Sequence, residues 1–203
     1  MSTNNDMNEM VRKMKGGISY GNYGPDADRL VKHSMEKYID HVKGKRGLVI
    51  GSETAWIEIT ALELGAKHIT TLEFSKIYSE NENITTKEPR DFAIDFMMGN
   101  TEPFDFIISF SSLEHPGLGR YGDSLDPYGD IMSVAQAYCV LKDGGVFFLG
   151  LPVLDSSLNR CGVQWNAHRY YGKERLQYMA ANYDHLETFQ GPQPIFVLQK
   201  NLN

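Results

Sequence analysis

Chemically reactive side chains are concentrated between residues 111 and 130, in the sequence SSLEHPGLGRYGDSLDPYGD. The ionisable residues of this segment are Glu114, His115, Arg120, Asp123, Asp126 and Asp130. Histidine has the unperturbed pKa nearest neutral pH, so His115 is the first candidate for a general base. Glu114 beside it can orient the imidazole, bind a ligand or act as the base itself. Alternatively, His115 is a partly exposed loop residue that donates to a backbone carbonyl.

The aspartates of this segment also suggest a hard cation, because Mg²⁺ and Ca²⁺ bind several carboxylate oxygens. Their spacing, however, lacks the glycine and the terminal glutamate of an EF-hand loop. Asp126 precedes Pro127, which predicts that Asp126 is a helix N-cap and that Asp130 stabilises the first turn electrostatically. We therefore expect no metal among the bound groups.

A second polar segment follows residue 153 and reaches the helix predicted from 172, and loops of this length in a compact domain are usually functional or disordered. Its candidate side chains are Trp165, Asn166, His168, Arg169 and Tyr170. They could form a substrate wall in which Arg169 binds a carboxylate or phosphate. Alternatively, Trp165 and Tyr170 attach the loop to the core while Arg169 pairs with an acidic neighbour. The predicted substrate contacts are Arg120, Asp123, His168 and Arg169.

Apolar runs and segments of helical periodicity alternate along the chain, and the strands and helices that they predict must position these candidate residues. Strands are predicted at 47–52, 68–74, 83–86, 104–111 and 146–153. Helices are predicted at 24–44, 54–66, 88–99, 126–145 and 172–183, and two closing strands at 185–191 and 195–200. This order predicts a single-domain, doubly wound α/β fold with a mostly parallel, Rossmann-like sheet and an antiparallel edge pair at the C-terminus. Residues 1–17 are expected to form a flexible polar tail, and residues 18–203 the domain.

In a doubly wound sheet, ligands bind beyond the carboxyl ends of the strands. Gly51 follows the first predicted strand, where a glycine allows a sharp turn and close approach of a ligand. Glu73 ends the second strand, 22 positions later. A carboxylate about 20 residues after a glycine turn can accept hydrogen bonds from both ribose hydroxyls. Gly51 and Glu73 together therefore favour an adenosine-binding site.

Four segments resemble the class I S-adenosylmethionine-dependent methyltransferases: LVIGSETAW (48–56), TTLE (70–73), FDFIISFSSLEH (104–115) and VLKDGGVFFLGLPV (140–153). More narrowly, residues 51–58, 111–130 and 166–172 are similar to an uncharacterised family first described from Caenorhabditis. The resemblance implies S-adenosylmethionine as cofactor, bound by Gly51, Ser52, Glu73, Ser111 and Ser112. It also implies methyl transfer to a hydroxyl-bearing small molecule or glycan, with His115 or Glu114 removing the acceptor's proton.

The sequence departs from this resemblance in one motif, because the usual Gly-x-Gly-x-Gly is replaced by GSETA at 51–55. The departure supports a second hypothesis, a methyltransferase-like binding or scaffold module without catalysis. A third hypothesis is a metal-dependent enzyme centred on His115, Asp123 and His168.

Composition narrows the class of partner. The chain has 203 residues and a formal net charge of -6, which argues against binding nucleic acid through bulk charge. No apolar run approaches the ~20 residues that span a bilayer, and the N-terminal segment lacks the apolar region of a signal peptide. We therefore expect a cytoplasmic protein without a membrane partner. Cys139 and Cys161 are the only cysteines, which argues against a disulfide framework.

Overall fold

The computed structural model describes residues 23–201, so the predicted N-terminal tail lies outside the described residues. The strands are β1 (Arg46–Ile50), β2 (His68–Leu72), β3 (Ile84–Lys87), β4 (Phe104–Phe110), β5 (Leu141–Gly150), β6 (Gly162–Gln164), β7 (His168–Tyr170), β8 (Tyr183–Phe189) and β9 (Ile195–Lys200). The helices are α1 (Pro25–Lys37), α2 (Trp56–Glu63), α3 (Pro89–Met97), α4 (Gly129–Val140) and α5 (Lys173–Met179), with a 3₁₀ turn at Ile39–His41.

The described residues form a seven-stranded sheet in the order β3-β2-β1-β4-β5-β9-β8. Neighbours from β3 to β5 are parallel, whereas β9 is antiparallel to both β5 and β8. This arrangement confirms the predicted α/β fold and its antiparallel edge pair. The strand order reverses between β1 and β4, which is where an open α/β sheet leaves a crevice for ligands.

Apolar cores lie on both faces of the sheet, as expected for buried parallel strands. On one face, Val31 and Met35 of α1 and Ile57 of α2 pack against the strands. On the other face, α3, α4 and α5 supply apolar side chains, such as Val134 of α4 and Met179 of α5. The two helical layers fix the sheet, so the loops at the carboxyl ends of the strands are held on a rigid base.

The prediction of one helix from 126 to 145 was wrong at both ends. Residues Gly144 and Gly145 do not stop a helix but lie inside β5. A Cβ at Gly145 would lie 2.8 Å from the Lys142 carbonyl oxygen and 2.9 Å from that of Asp105, so the backbones approach too closely for a side chain. At the other end, α4 begins at Gly129. The N-cap residue is Tyr128, whose side chain makes no capping hydrogen bond.

The predicted cap, Asp126, instead accepts a hydrogen bond on Oδ1 from the Tyr128 N–H at 2.9 Å and shapes the turn before the helix. Helix α1 is also shorter than predicted, because it ends at Lys37 and is followed by the 3₁₀ turn.

The polar segment after β5 contains a short antiparallel hairpin that the sequence pattern did not predict. Its strands β6 and β7 pair Gly162 with Tyr170 and Gln164 with His168. Three residues on each side give too little alternation for a strand pattern to be recognised. The hairpin is nevertheless attached to the domain, because the Arg169 N–H donates to the Glu114 carbonyl oxygen at 3.2 Å. It therefore places His168 beside the loop that follows β4.

Within residues 23–201, we find no helix whose length and apolar character would allow it to cross a lipid bilayer.

Candidate functional site

The predicted cofactor residues lie together at the carboxyl edge of the sheet, beyond β1, β2 and β4. The Gly51 N–H donates to the Leu72 carbonyl oxygen at 2.8 Å, which connects the end of β1 to the end of β2. The Ser111 N–H donates to the Gly150 carbonyl oxygen at 3.1 Å, which connects the end of β4 to β5. The parallel register thus brings Gly51, Glu73 and Ser111 to one edge.

The backbone and the packing of the turn after β1 themselves require a glycine at position 51. Its φ is +73°, in the region that favours glycine, and a Cβ would lie 1.8 Å from the Ser112 Oγ. The Ser112 side chain therefore occupies the space beside Gly51. This contact couples the turn after β1 to the loop after β4.

Ser52 is buried, and its hydroxyl faces the core rather than a cofactor. The Ser52 Oγ lies 2.6 Å from the Thr54 carbonyl oxygen and 2.9 Å from Oε2 of the buried Glu58. On the other side, the Thr71 hydroxyl donates to Glu58 Oε1 at 2.7 Å. The Ser52 side chain is therefore engaged within the protein, and cofactor binding by Ser52, to which its main chain can contribute, stays a prediction.

Glu58 is a buried carboxyl under the turn after β1, and it was not among the site residues predicted from the sequence. Ser52 has one hydroxyl hydrogen, and the Thr54 carbonyl can only accept it. If Ser52 donates to Thr54, the contact with Glu58 is a hydrogen bond only when Glu58 carries a proton. Burial raises the pKa of Glu58 to about 7, which agrees with this proton accounting. A signal was present in the sequence, because Glu58 interrupts the otherwise apolar run AWIEIT.

Glu73 lies half-buried at the end of β2, where the sequence placed it. Its Oε1 accepts hydrogen bonds from the N–H groups of Phe74 at 2.7 Å and Ser75 at 3.4 Å. These bonds fix the direction of the carboxylate at the edge of the crevice. Glu53, in the altered glycine motif, is exposed to solvent.

Glu114 and His115 form a pair at the end of β4. Glu114 is only 1% exposed; its Oε1 accepts from the Ser111 hydroxyl at 2.6 Å, whereas its Oε2 is buried without a hydrogen-bond partner. Burial raises the pKa of Glu114 to about 7. Ser111 has a φ of +54°, uncommon for a residue with a side chain, and strained backbone of this kind clusters at functional sites.

The hydrogen bonds of His115 define its tautomer. Its Nδ1 lies 2.6 Å from the Ala167 carbonyl oxygen, which can only accept, so Nδ1 carries the hydrogen. Nε2 therefore presents its lone pair, 3.7 Å from Glu114 Oε1. Burial lowers the pKa of His115, which keeps the ring neutral near pH 7. The loop-residue alternative is correct about the carbonyl contact, but this contact leaves Nε2 available as a base.

Asp123 stabilises its own loop, and its contact with a substrate stays a prediction. Its Oδ2 accepts from the N–H groups of Gly117 at 2.7 Å and Gly119 at 3.4 Å, and its Oδ1 from that of Tyr121 at 3.3 Å. Because these bonds close the turn from 117 to 123, the carboxylate is engaged by backbone. Arg120 lies on the outer side of this turn and is exposed.

Arg169 is buried and serves as a clamp, which contradicts the predicted substrate contact. Its Nη1 donates to the carbonyl oxygens of Glu114 at 3.2 Å and Pro116 at 2.6 Å, and its Nη2 to that of Asp126 at 3.0 Å. Its Nε lies 3.7 Å from Oδ2 of the buried Asp130. The alternative in which Arg169 pairs with an acidic neighbour is therefore the correct one.

Asp130 connects α4 to α5 through the same network. It accepts a hydrogen bond on Oδ2 from the Tyr171 hydroxyl at 2.8 Å, and its Oδ1 lies 2.6 Å from Arg175 Nη2. Asp130 is fully buried, so its role goes beyond the predicted stabilisation of a helix start.

His168 lies next to His115, with ring centroids 6.2 Å apart, and 4.6 Å from the Tyr170 ring. Burial and the positive charge of Arg120 lower the pKa of His168. Trp165, at the tip of the hairpin, is 82% exposed and so does not attach the hairpin to the core. Across residues 23–201, no group of three or more His, Cys, Asp or Glu side chains is arranged to hold a metal ion. The metal-dependent alternative thus has no ligand set in this part of the chain.

Tyr23 is a further neighbour of the site that the sequence pattern did not reveal. Its hydroxyl donates to the Ser111 carbonyl oxygen at 3.4 Å. Its ring contacts those of Phe110, at 5.3 Å, and Trp56, at 6.4 Å. Tyr23 therefore packs against the end of β4 and the start of α2.

The strand order and the position of the crevice define the fold of the class I S-adenosylmethionine-dependent methyltransferases, as the sequence resemblance indicated. Solved structures with this fold include the 1,6-didemethyltoxoflavin-N1-methyltransferase of Burkholderia thailandensis, crystallised with S-adenosylhomocysteine. It has a TM-score of 0.59 and 14% sequence identity, over 86% of this chain and 78% of that one.

Two further solved structures share this fold. CcbJ methyltransferase of Streptomyces caelestis has a TM-score of 0.59 and 15% identity, over 91% of this chain and 94% of that one. TehB of Haemophilus influenzae has a TM-score of 0.58 and 12% identity, over 84% of this chain. This chain spans 62% of the length of TehB.

The chain belongs to the family described as "Caenorhabditis protein of unknown function, DUF268", which matches residues 44–201. No curated protein is significantly similar to it in sequence.

Proposed function

We propose that this protein is a methyltransferase that uses S-adenosylmethionine. The observation that carries the proposal is the meeting of three features at one edge of the sheet: the turn at Gly51, the carboxylate of Glu73 and the pair Glu114–His115. In a sheet of this order, that edge is the place where ligands bind. The proposal is further supported by the structural similarity to proteins crystallised with S-adenosylhomocysteine.

The side chains at this edge fit the chemistry of the cofactor. Glu73 is half-buried and held by two backbone N–H groups, so its carboxylate is ready to accept hydrogen bonds from ribose hydroxyls. The buried Oε2 of Glu114 has no partner, and such an atom is costly unless a ligand donates to it. Main-chain groups of Gly51 and Ser52 complete the cofactor-binding set.

The bound cofactor would supply a methyl group on a sulfonium, which an acceptor atom displaces in line. The protein's part is then to align the acceptor and to take its proton. His115 Nε2 takes this proton, because its tautomer is fixed by the Ala167 carbonyl oxygen. Glu114 Oε1, 3.7 Å away, stabilises the imidazolium that results when Glu114 is ionised, and its pKa of about 7 means that a fraction of this carboxyl is ionised near neutral pH.

We further propose a hydroxyl-bearing small molecule or glycan as the acceptor, rather than a nucleic acid. The net charge of -6 argues against binding a polyanion through bulk charge. The structurally similar protein of Burkholderia thailandensis is named as an N1-methyltransferase and was crystallised with 1,6-didemethyltoxoflavin, which supports a small molecule as the acceptor.

A specific observation favours the second candidate, a binding or scaffold module. The Ser112 side chain fills the space beside Gly51, and the Ser52 hydroxyl faces inward, so protein atoms already occupy the space beside this turn. The two candidates differ in whether cofactor binding is followed by methyl transfer.

Isothermal titration of the full chain with S-adenosylmethionine and S-adenosylhomocysteine tests the proposal. We expect both ligands to bind, and Glu73→Ala to weaken binding at least tenfold because it removes the ribose contacts. Glu63→Ala is the matched control, since Glu63 is an exposed carboxylate at the far end of α2. Absence of binding at millimolar ligand would refute the proposal. Binding without methyl transfer to any acceptor class would favour the scaffold module.

A further inference from the structure

Arg120 is an exposed cation at the edge of the candidate site. Its guanidinium lies 5.7 Å from the centre of the Tyr121 ring. Its two hydrogen bonds, from Nε to the Tyr121 hydroxyl and from Nη1 to the Asn166 carbonyl oxygen, are both 3.4 Å long and therefore weak. Of the carboxylates in residues 23–201, none forms an ion pair with Arg120.

The surroundings of Arg120 connect it to the proposed base. The Tyr121 ring lies 5.6 Å from the His115 ring and 6.4 Å from that of Phe74. His115 in turn lies 6.2 Å from His168. Two exposed aromatic rings and two histidines thus form a wall, and the guanidinium lies at its rim. A ligand on this wall would contact Arg120 and His115 together.

We propose that Arg120 binds a carboxylate or phosphate group of the methyl acceptor and so places the acceptor beside His115. The inference rests on the proposed function and adds the class of substrate, an acceptor that carries an anionic group. A planar guanidinium suits this role, because it can donate two parallel hydrogen bonds to either group. Arg120 is the only lysine or arginine between 111 and 130, which suits one anionic group on a small molecule rather than a polyanion.

Binding of an anion at Arg120 has a measurable consequence for the histidines. Burial is the largest cause that lowers the pKa of His168, and the positive charge of Arg120 is the second. For His115, burial again lowers the pKa most, the hydrogen bond to the Ala167 carbonyl oxygen raises it, and the charge of Arg120 lowers it. Other charged or titratable groups that face His115 are Glu114, at 3.7 Å, and Tyr121. An anion that neutralises Arg120 therefore raises the pKa of both histidines.

The test is an NMR titration of the histidine ring signals against pH, with the full chain. Inorganic phosphate and sodium acetate are compared with sodium chloride at equal ionic strength, and His115→Gln and His168→Gln assign the signals. We expect phosphate, acetate or both to raise the pKa of both histidines by a few tenths of a pH unit. Arg120→Gln raises both values without any anion and removes the response. Arg90→Gln, an exposed cation on α3, serves as the control and keeps the response.

The two arms separate the sources of the anion: a response to phosphate alone assigns a phosphate, and a response to acetate alone assigns a carboxylate. Equal values in all three salts overturn the inference, as does a response that persists in Arg120→Gln. Failure here is distinct from failure of the proposed function, because the titration with S-adenosylmethionine does not depend on Arg120. If S-adenosylmethionine does not bind and the anion response is present, the result supports the anion site at Arg120 and refutes the proposal of methyl transfer.

Discussion

Glu58 offers a sharp test, because burial raises its pKa to about 7 and glutamine can take the place of its neutral form. It accepts from the Thr71 hydroxyl and contacts the Ser52 hydroxyl, which also lies 2.6 Å from the Thr54 carbonyl oxygen. Glutamine has the shape of the neutral acid, and its amide can donate to Ser52 while its carbonyl oxygen accepts from Thr71. We expect Glu58→Gln to fold normally and to change how the free energy of unfolding depends on pH.

The magnitude follows from the pKa of Glu58, which burial raises from its ordinary value of 4.5 to about 7. Between these values the folded protein holds a proton that the unfolded chain has lost. Stability therefore falls as pH rises through this window, and one pKa unit corresponds to about 1.4 kcal/mol. The whole shift makes the folded state less stable by on the order of 3 kcal/mol above pH 7 than below pH 4.5.

Urea unfolding, followed by circular dichroism between about pH 5 and 8, measures this effect. The free energy of unfolding of Glu58→Gln minus that of the wild type should increase across this range by about 2–3 kcal/mol. Glu114, whose pKa burial also raises to about 7, gives the same slope in both proteins and cancels. Glu63→Gln, which removes an exposed carboxylate of the same helix, is the control. A difference that stays constant with pH would mean that Glu58 is ionised in the folded protein.

The remaining predictions concern the contacts that shape the site. Gly51→Ala should destabilise the fold by about 1–3 kcal/mol, because the new Cβ meets the Ser112 Oγ, and a Gly51→Ala, Ser112→Gly double variant should recover part of this loss in urea unfolding. Arg169→Met should cost about 3–5 kcal/mol and lower the midpoint of thermal unfolding, because buried Asp130 loses one of its cations and the backbone carbonyls lose their donor. Arg169→Lys should recover little of this stability, since an ammonium cannot form all the hydrogen bonds that the planar guanidinium donates to the backbone carbonyls. Full recovery of stability by lysine would contradict this role of Arg169.

Much of the fold could be predicted from local sequence patterns. Apolar runs such as FDFIISF and the periodic helices alternate along the chain, and parallel pairing with right-handed crossovers leaves few other arrangements. The positions of Gly51, Glu73 and Ser111 at strand ends followed for the same reason, because the carboxyl ends of parallel strands share one edge. These predictions needed no knowledge of distant contacts.

The sequence by itself therefore determined the order of the strands and helices of the main sheet, without the hairpin β6–β7, and the edge of that sheet where the candidate site residues lie. Only the tertiary structure decided which side chains face that edge, because their partners come from distant parts of the chain. Arg169 turns inward to carbonyls more than 40 residues away, such as that of Asp126, whereas Arg120 remains outside. Glu58 finds hydroxyls in a neighbouring strand as well as its own turn, and burial between them determines whether it carries a proton. The direction of a side chain and its charge depend on what surrounds it, and a local pattern does not contain that information.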